Sequence, residues 1–209
     1  MIRPEGIRTA AFALAADGDA RVDDEARAGL AARLGITDTW ATVSQVHGAA
    51  TVVADRAGGL GEADALFTAM PSLPLAVGTA DCLPIVVVGG FSVALIHAGW
   101  RGLDAGVVAS ALAVMEEAGD EPQQAAIGPC IGPCCYEVGE EVAARFGPFV
   151  AATSWGTPSV DLRAAAVARL RPIPVWVSSR CTRTDPELHS HRENGTRLRQ
   201  VTVAWAPTG

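Results

Sequence analysis

The sequence contains no lysine; all 16 of its basic residues are arginines. That absence excludes Schiff-base chemistry on a lysine amine and a phosphate grip by a Walker lysine. Anions have to be met by guanidinium groups or backbone amides. Positive charge is scarce as well: 23 acidic residues leave a net charge of −7, which argues against nucleic acid or an anionic membrane surface as a partner. No apolar run approaches the roughly 20 residues needed to cross a bilayer, and residues 1–6 hold no signal-type apolar core. The expectation is a cytoplasmic protein. In a reducing compartment its five cysteines, an odd number, are thiols, metal ligands or core residues rather than a disulfide framework.

What is present is a globular composition, 49% hydrophobic and 19% charged, in a length that suits one compact unit over residues 1–209. Apolar runs and alternation predict strands at 9–14, 39–46, 75–79, 85–88, 91–96, 175–178 and 200–205, with 50–54 returning after 39–46. A helix is predicted from Asp23 or Asp24, as cap, to Leu34, with Gly35 as a left-handed stop. Further helices are predicted at 103–118, 137–146 and 162–170, the last capped by Asp161. This mixed order predicts an α+β fold with mixed β-sheets, not a regular βαβ winding.

The segment TADCLPIVVVGGFSVALIH, residues 79–97, reads as a hairpin turning at Gly89-Gly90. Its predicted register faces Val88 with Phe91 and places Cys82 opposite His97, with Cβ atoms about 5 Å apart. Pro84 cannot donate to the ladder and loosens it near Cys82. A buried thiol packed beside a core imidazole is the plain reading of such a pair. The surroundings point further. Asp81 makes the approach polar, and Ala98-Gly99-Trp100-Arg101-Gly102 leads into a predicted helix amino terminus, where Arg101 can hold an anion. His47, at the strand end Ser44-Gln45-Val46-His47-Gly48, completes a His₂Cys set suited to zinc with one position left open. The rival chemistry is metal-free: His97 lowers the pKa of Cys82, and the thiolate attacks an amide carbonyl.

Other constellations are weaker. The stretch IGPCIGPCC, residues 127–135, reads as a stiff backbone wall. Adjacent Cys134 and Cys135 are expected to point apart, so with Cys130 they complete no metal site. Tyr136 reads as a packed aromatic able to stack on a ligand. Cys181-Thr182 ends a strand bordering the site, with a buried thiol as its plain role. His189 and His191 could hold copper or zinc if they lie on a strand; the other reading is a polar loop presenting Arg192 to an anion.

The stretches SQVHG (44–48), ADALFT (63–68), TADCLPI (79–85), HAGWRG (97–102), IGPCIGPCCYEVG (127–139), VDLRAA (160–165) and CT (181–182) resemble the YfiH family and stand in that family's order. Members are variously described as laccase-domain proteins, multicopper polyphenol oxidoreductases and purine nucleoside phosphorylases. The resemblance implies a duplicated, layered mixed-sheet fold of α/β/β/α type. It also implies zinc held by His47, Cys82 and His97. The implied activity is phosphorolysis of adenosine, inosine or methylthioadenosine to base and ribose 1-phosphate, with adenosine deamination. Small-molecule partners, a nucleoside and phosphate, follow from that. Copper-dependent polyphenol oxidation is the alternative in the family's older naming, and action on peptidoglycan precursors is attributed to some members. Copper oxidases normally use many histidines, and this chain has four. The chain departs from the family at Cys130, where a small residue is usual, and at Glu193 and Asn194, which replace an expected arginine and aspartate beside Arg192.

Overall fold

Alternating apolar side chains give each of two mixed sheets two buried faces, and that requirement stacks the molecule in four layers. The computed structural model describes residues 1–207. One sheet runs in the order β1 (Ala10–Phe12), β13 (Gln200–Ala204), β6 (Leu75–Thr79), β2 (Ala41–Ser44) and β4 (Gly58–Glu62). The other runs β12 (Val175–Val177), β9 (Gln124–Ile127), β7 (Leu83–Val88), β8 (Val93–Ala98), β5 (Ala65–Thr68) and β3 (Thr51–Val53). A short ribbon pairs β10 (Val150–Ala152) with β11 (Pro158–Val160).

Phe12, Leu66, Leu75, Val77, Val86, Val93 and Leu95 meet between the two sheets. The opposite parity, Leu83, Ile85, Val87, Ala94 and Ile96, packs on Leu103 of α2 (Trp100–Ala105), Val107 and Met115 of α3 (Val107–Glu117), Phe146 of α4 (Glu140–Phe146) and Leu162 of α5 (Leu162–Arg169). On the far side, Ala76, Val201 and Val203 receive Leu30 and Leu34 of α1 (Asp24–Leu34). The order is therefore α/β/β/α, in agreement with the expected class. Each large aliphatic side chain buried in these layers contributes about 2 kcal/mol. Helix ends follow their sequence signals. Asp23 accepts the amides of Glu25 and Ala26, Gly35 sits at φ 70°, and Asp161 accepts the amide of Ala164. No helix among the described residues is long and apolar enough to cross a membrane.

The structure corrects several expectations. The segment after His47 does not return beside β2. It crosses to the other sheet, where β3 pairs in parallel with β5. The helix expected at 103–118 begins at Trp100 and breaks at Gly106, which takes a left-handed φ of 89°. Strands β4, β5, β9 and the β10–β11 ribbon went unpredicted; β4 reads Gly-Gly-Leu-Gly-Glu and carries no alternation to see.

The hairpin register also differs. Val88 pairs with Val93 and Pro84 with His97, two residues from the predicted match. The turn spans four residues, closed by the Gly89 amide donating to the Ser92 carbonyl at 3.0 Å. Asp120 fixes it there by accepting the amides of Gly90 (2.7 Å), Phe91 (3.1 Å) and Ser92 (2.8 Å) and the Ser92 hydroxyl (2.6 Å). A side chain at position 89 would collide with that carboxylate.

Candidate metal centre and its cleft

Three chain segments end at one place. His97 lies near the end of β8 on the same face as Val93 and Leu95, so its ring emerges where the core between the sheets stops. Cys82 immediately precedes β7, and His47 sits on the crossover from β2 to β3. Their donor atoms all lie within 4.8 Å of one another. Cys82 Sγ is 3.8 Å from His47 Nε2, and the two imidazoles meet edge to face at 4.9 Å. Cys82 thus reaches His97 without facing it across the ladder. Gly99 makes room, since a Cβ there would stand 3.1 Å from both Cys82 Sγ and His47 Cδ2.

The backbone is bent to achieve this. His47 (φ 60°) and Asp81 (φ 92°) are the non-glycine residues with positive φ among the described residues. Such conformations persist only where surrounding contacts over-determine them. At His47 the restraint is Asp64, which is fully buried. Its carboxylate accepts the amides of Val46 (3.3 Å), His47 (3.0 Å) and Gly48 (2.5 Å) and lies 2.8 Å from His97 Nδ1. Its carbonyl accepts the His97 amide at 2.7 Å. At Asp81 the carboxylate accepts the hydroxyls of Thr182 (2.6 Å) and Ser190 (2.7 Å) and the amide of Arg192 (2.7 Å). Asp81 therefore lines the cleft beside Cys82, as expected, and serves as a clasp as well.

A carboxylate beside Nδ1 makes that nitrogen the donor and leaves Nε2 toward the cluster, the arrangement that orients metal-binding histidines. Burial opposes ionisation of Cys82, yet hydrogen bonds and charge from His47 and His97 outweigh it and bring the thiol down to about 6. Burial likewise disfavours a charged His97, but Asp64 and the Cys82 sulfur raise it to about 9. Without a metal both shifts favour the thiolate–imidazolium form of the pair. Two imidazoles and one thiolate suit a borderline cation of the zinc type, and the residues present form a group able to hold a metal ion.

The cluster opens into a cleft of about 610 Å³, lined also by Thr79, Tyr136 and the arginines Arg21, Arg101, Arg192 and Arg199. Both arginines singled out in the sequence are thus in the cleft. The Arg101 guanidinium lies 4.5 Å over the Trp100 ring, and that of Arg192 lies 4.9 Å over Tyr136 while donating to the Glu137 carbonyl at 2.8 Å. Helix α2 has only six residues, so little helix dipole is on hand for an anion and the guanidinium groups must supply the charge. The Thr79 hydroxyl is buried and has no hydrogen-bond partner. His191 lines the cleft at the start of α6 (His191–Asn194), whereas His189 does not. The paired-histidine reading on a strand is thereby corrected.

The vicinal cysteines do not point apart. Cys134 Sγ is 3.4 Å from Cys135 Sγ and 3.9 Å from Cys181 Sγ. The cause is a tight turn in which the Cys135 and Tyr136 amides both donate to the Gly132 carbonyl at 3.0 Å. Cys130 is separate: Arg163 Nε donates to its sulfur at 3.0 Å, and burial pushes its thiol up to about 11.

Residues 8–207 match the sequence profile of the multi-copper polyphenol oxidoreductase laccase family. The chain belongs to that family. A purine nucleoside phosphorylase of Mycobacterium tuberculosis (strain H37Rv) is 38% identical, covering 90% of this chain and 83% of that protein. One of Deinococcus radiodurans is also 38% identical, over 91% and 80%. The crystal structure of the hypothetical protein YfiH of Bacillus licheniformis superposes with a TM-score of 0.78 at 27% identity, covering 87% of this chain and 80% of that one. YlmD from Geobacillus stearothermophilus gives 0.78 at 29%, over 88% and 79%. The YfiH resemblance noted in the sequence is the same family. Asp64 went unremarked there, although a carboxylate leading into the buried run Ala65–Thr68 is itself a signal, because a buried charge needs partners.

Proposed function

We propose that this chain is a zinc-dependent purine nucleoside phosphorylase. Its substrates would be adenosine, inosine or methylthioadenosine together with phosphate, its products free base and ribose 1-phosphate, with adenosine deamination as a second activity. The observation that carries this reading is the His47–Cys82–His97 group, backed by buried Asp64, beside a cleft with four arginines in its wall. The names of the 38%-identical relatives supply the reaction class.

In that reaction a phosphate oxygen bonds to C1′ of the ribose while the bond from C1′ to the purine nitrogen breaks, and the departing base takes up a proton. Zinc, if held by His47, Cys82 and His97, would supply Lewis acidity in the cleft. The protein's own groups do the rest. Arg101 and Arg192, which have no carboxylate partner among the described residues, are placed to hold a phosphate dianion. Tyr136 lies under the Arg192 guanidinium and steadies it in the cleft wall. The orphan Thr79 hydroxyl gains a partner if a ribose hydroxyl lies in the cleft. Asp64 keeps the proton on His97 Nδ1 and holds the His47 loop.

One observation favours a second reading. Cys82, His97 and Asp64 stand in the order of nucleophile, base and orienting carboxylate, and the thiol is already low. A cysteine hydrolase acting on an amide, such as one in a peptidoglycan precursor, would use that order. Such a dyad has no need of His47 at 3.8 Å from the same sulfur. Polyphenol oxidation draws no support from the donor groups, which gather two of the four histidines.

Metal analysis of purified protein, paired with product assays on adenosine and inosine with and without phosphate, tests the proposal. It expects about one zinc per chain, ribose 1-phosphate only when phosphate is present, and Cys82 shielded from alkylation until a chelator is added. Full activity in metal-free protein with an acyl adduct on Cys82 would establish the hydrolase instead.

A further inference from the structure

We propose that Cys134, Cys135 and Cys181 form a second metal site, built from thiolates alone and suited to a soft monovalent cation such as copper(I). The inference stands apart from the zinc reading, because none of these residues belongs to the His47–Cys82–His97 group.

The geometry is close to what three-coordinate sulfur requires. With thiolate–metal bonds of about 2.3 Å, three sulfurs in a plane around one ion stand about 4 Å apart. Here the separations from Cys134 Sγ are 3.4 Å and 3.9 Å, and all three sulfurs lie within 4.8 Å of one another. Binding therefore asks for small side-chain adjustments and no backbone movement. The turn that aligns Cys134 with Cys135 is held by two amides on the Gly132 carbonyl. Cys181 is brought in from a sequence-distant segment by the bridge between Cys130 and Cys181.

The surroundings favour charge on the Cys181 sulfur, while burial holds the Cys135 thiol up until a cation displaces its proton. The Gly132 amide donates to Cys181 Sγ at 3.2 Å, and Arg183, itself paired with Glu193, donates to the Cys135 carbonyl at 3.4 Å and so ties down the backbone of the cluster. Cys135 and Cys181 are buried, whereas Cys134 is exposed and provides the way in. The donor chemistry then selects the ion. Structural zinc takes four ligands, and no fourth histidine, cysteine or carboxylate joins this group among the described residues. An all-sulfur, three-donor set with no imidazole matches a soft cation content with low coordination. Each thiol that binds releases its proton, so occupation is written as three thiols and one cation giving a metal trithiolate and free protons.

The test uses the reduced, full-length protein as purified, under anaerobic conditions, with its metal content measured beforehand. Copper(I) is delivered from a chromophoric chelator and the transfer is followed optically. The expected result is uptake of about one equivalent without release of metal already bound. Cys134→Ser and Cys181→Ser should each weaken that uptake at least about a hundredfold. Position 134 is exposed, so the serine there keeps the fold, which circular dichroism checks. No uptake overturns the proposal. So does uptake that survives Cys134→Ser but is lost in His47→Ala, which would put the ion at the other group. Zinc bound by the same three cysteines as tightly as copper(I) overturns the choice of a soft monovalent ion.

Discussion

The two ends of the β7–β8 hairpin are built with the same device, a buried aspartate that collects backbone amides, and they use it differently. At the turn, Asp120 accepts three amides and a serine hydroxyl, and every acceptor is spent on holding shape. At the other end, Asp64 also accepts three amides, yet part of its capacity goes to the imidazole of His97, and the loop it holds contains His47 at φ 60°. The first carboxylate closes a turn. The second orients two side chains that have nothing structural to gain from being brought together. A buried, fully hydrogen-bonded aspartate is therefore not informative by itself; what separates a fastening from a site is whether one of its bonds ends on a group with a free coordinating atom.

The sharpest way to break that contrast is at the free atoms. Cys82→Ala and His97→Ala should each lower phosphorolysis by about a thousandfold and strip the metal, measured by turnover and elemental analysis. Retention of stoichiometric metal in both would remove the ligand assignment. Next in size is the structural end. Asp120→Ala leaves three amides without their acceptor and should cost about 3 kcal/mol in chemical denaturation, while kcat and KM of the folded protein stay within about twofold. Burial resists ionisation of Asp120, but Ser92 and the three amides outweigh it and hold the carboxyl below its ordinary value. Its stabilisation is thus fully present above the unfolded carboxylate pKa of about 3.9 and is lost as pH falls through the lower folded value. The variant should show a flatter loss of stability over that acid range.

Asp64→Asn keeps an acceptor near the amides but removes the charge behind His97. Metal affinity should fall about 10- to 100-fold, read by chelator competition, with a smaller change in stability than Asp120→Ala produces. Equal behaviour of the two aspartate variants would erase the distinction between the ends. The smallest change in stability is expected at His47→Gly, which relieves the left-handed backbone and should stabilise the metal-free fold by about 1 kcal/mol. A thermal scan of chelated protein decides this.

Much of the layering was legible, because β6, β7 and β8 carry apolar residues on both faces, β13 alternates, and α1 carries both of its caps. The hairpin was misread by two residues because its turn is set by Asp120, some thirty positions away in the chain, and Gly89-Gly90 alone cannot report that. His47, Cys82 and His97 were nevertheless found, since residue type and family resemblance pointed to them independently of the register. Asp64 was not, and the clasp made by Asp81 was not, because their partners lie far off in sequence. Cys134 and Cys135 were misjudged for a local reason: adjacent side chains diverge in extended backbone, and only the turn onto Gly132 makes their sulfurs converge.

The Asp81 clasp also bears on when a newly made chain becomes competent. Its three bonds reach across 101, 109 and 111 residues. At a synthesis rate of about 5–20 residues per second, the loop carrying Cys82 leaves the ribosome roughly 5–20 s before the residues that fasten it. Closing so long a span costs little more entropy than closing a short one, so the delay lies in translation and not in the search. A chain released before Thr182 would hold its ligand residues on an unfastened, strained loop. The loop that carries Cys82 is thereby fastened only after residues 182–192 have been made.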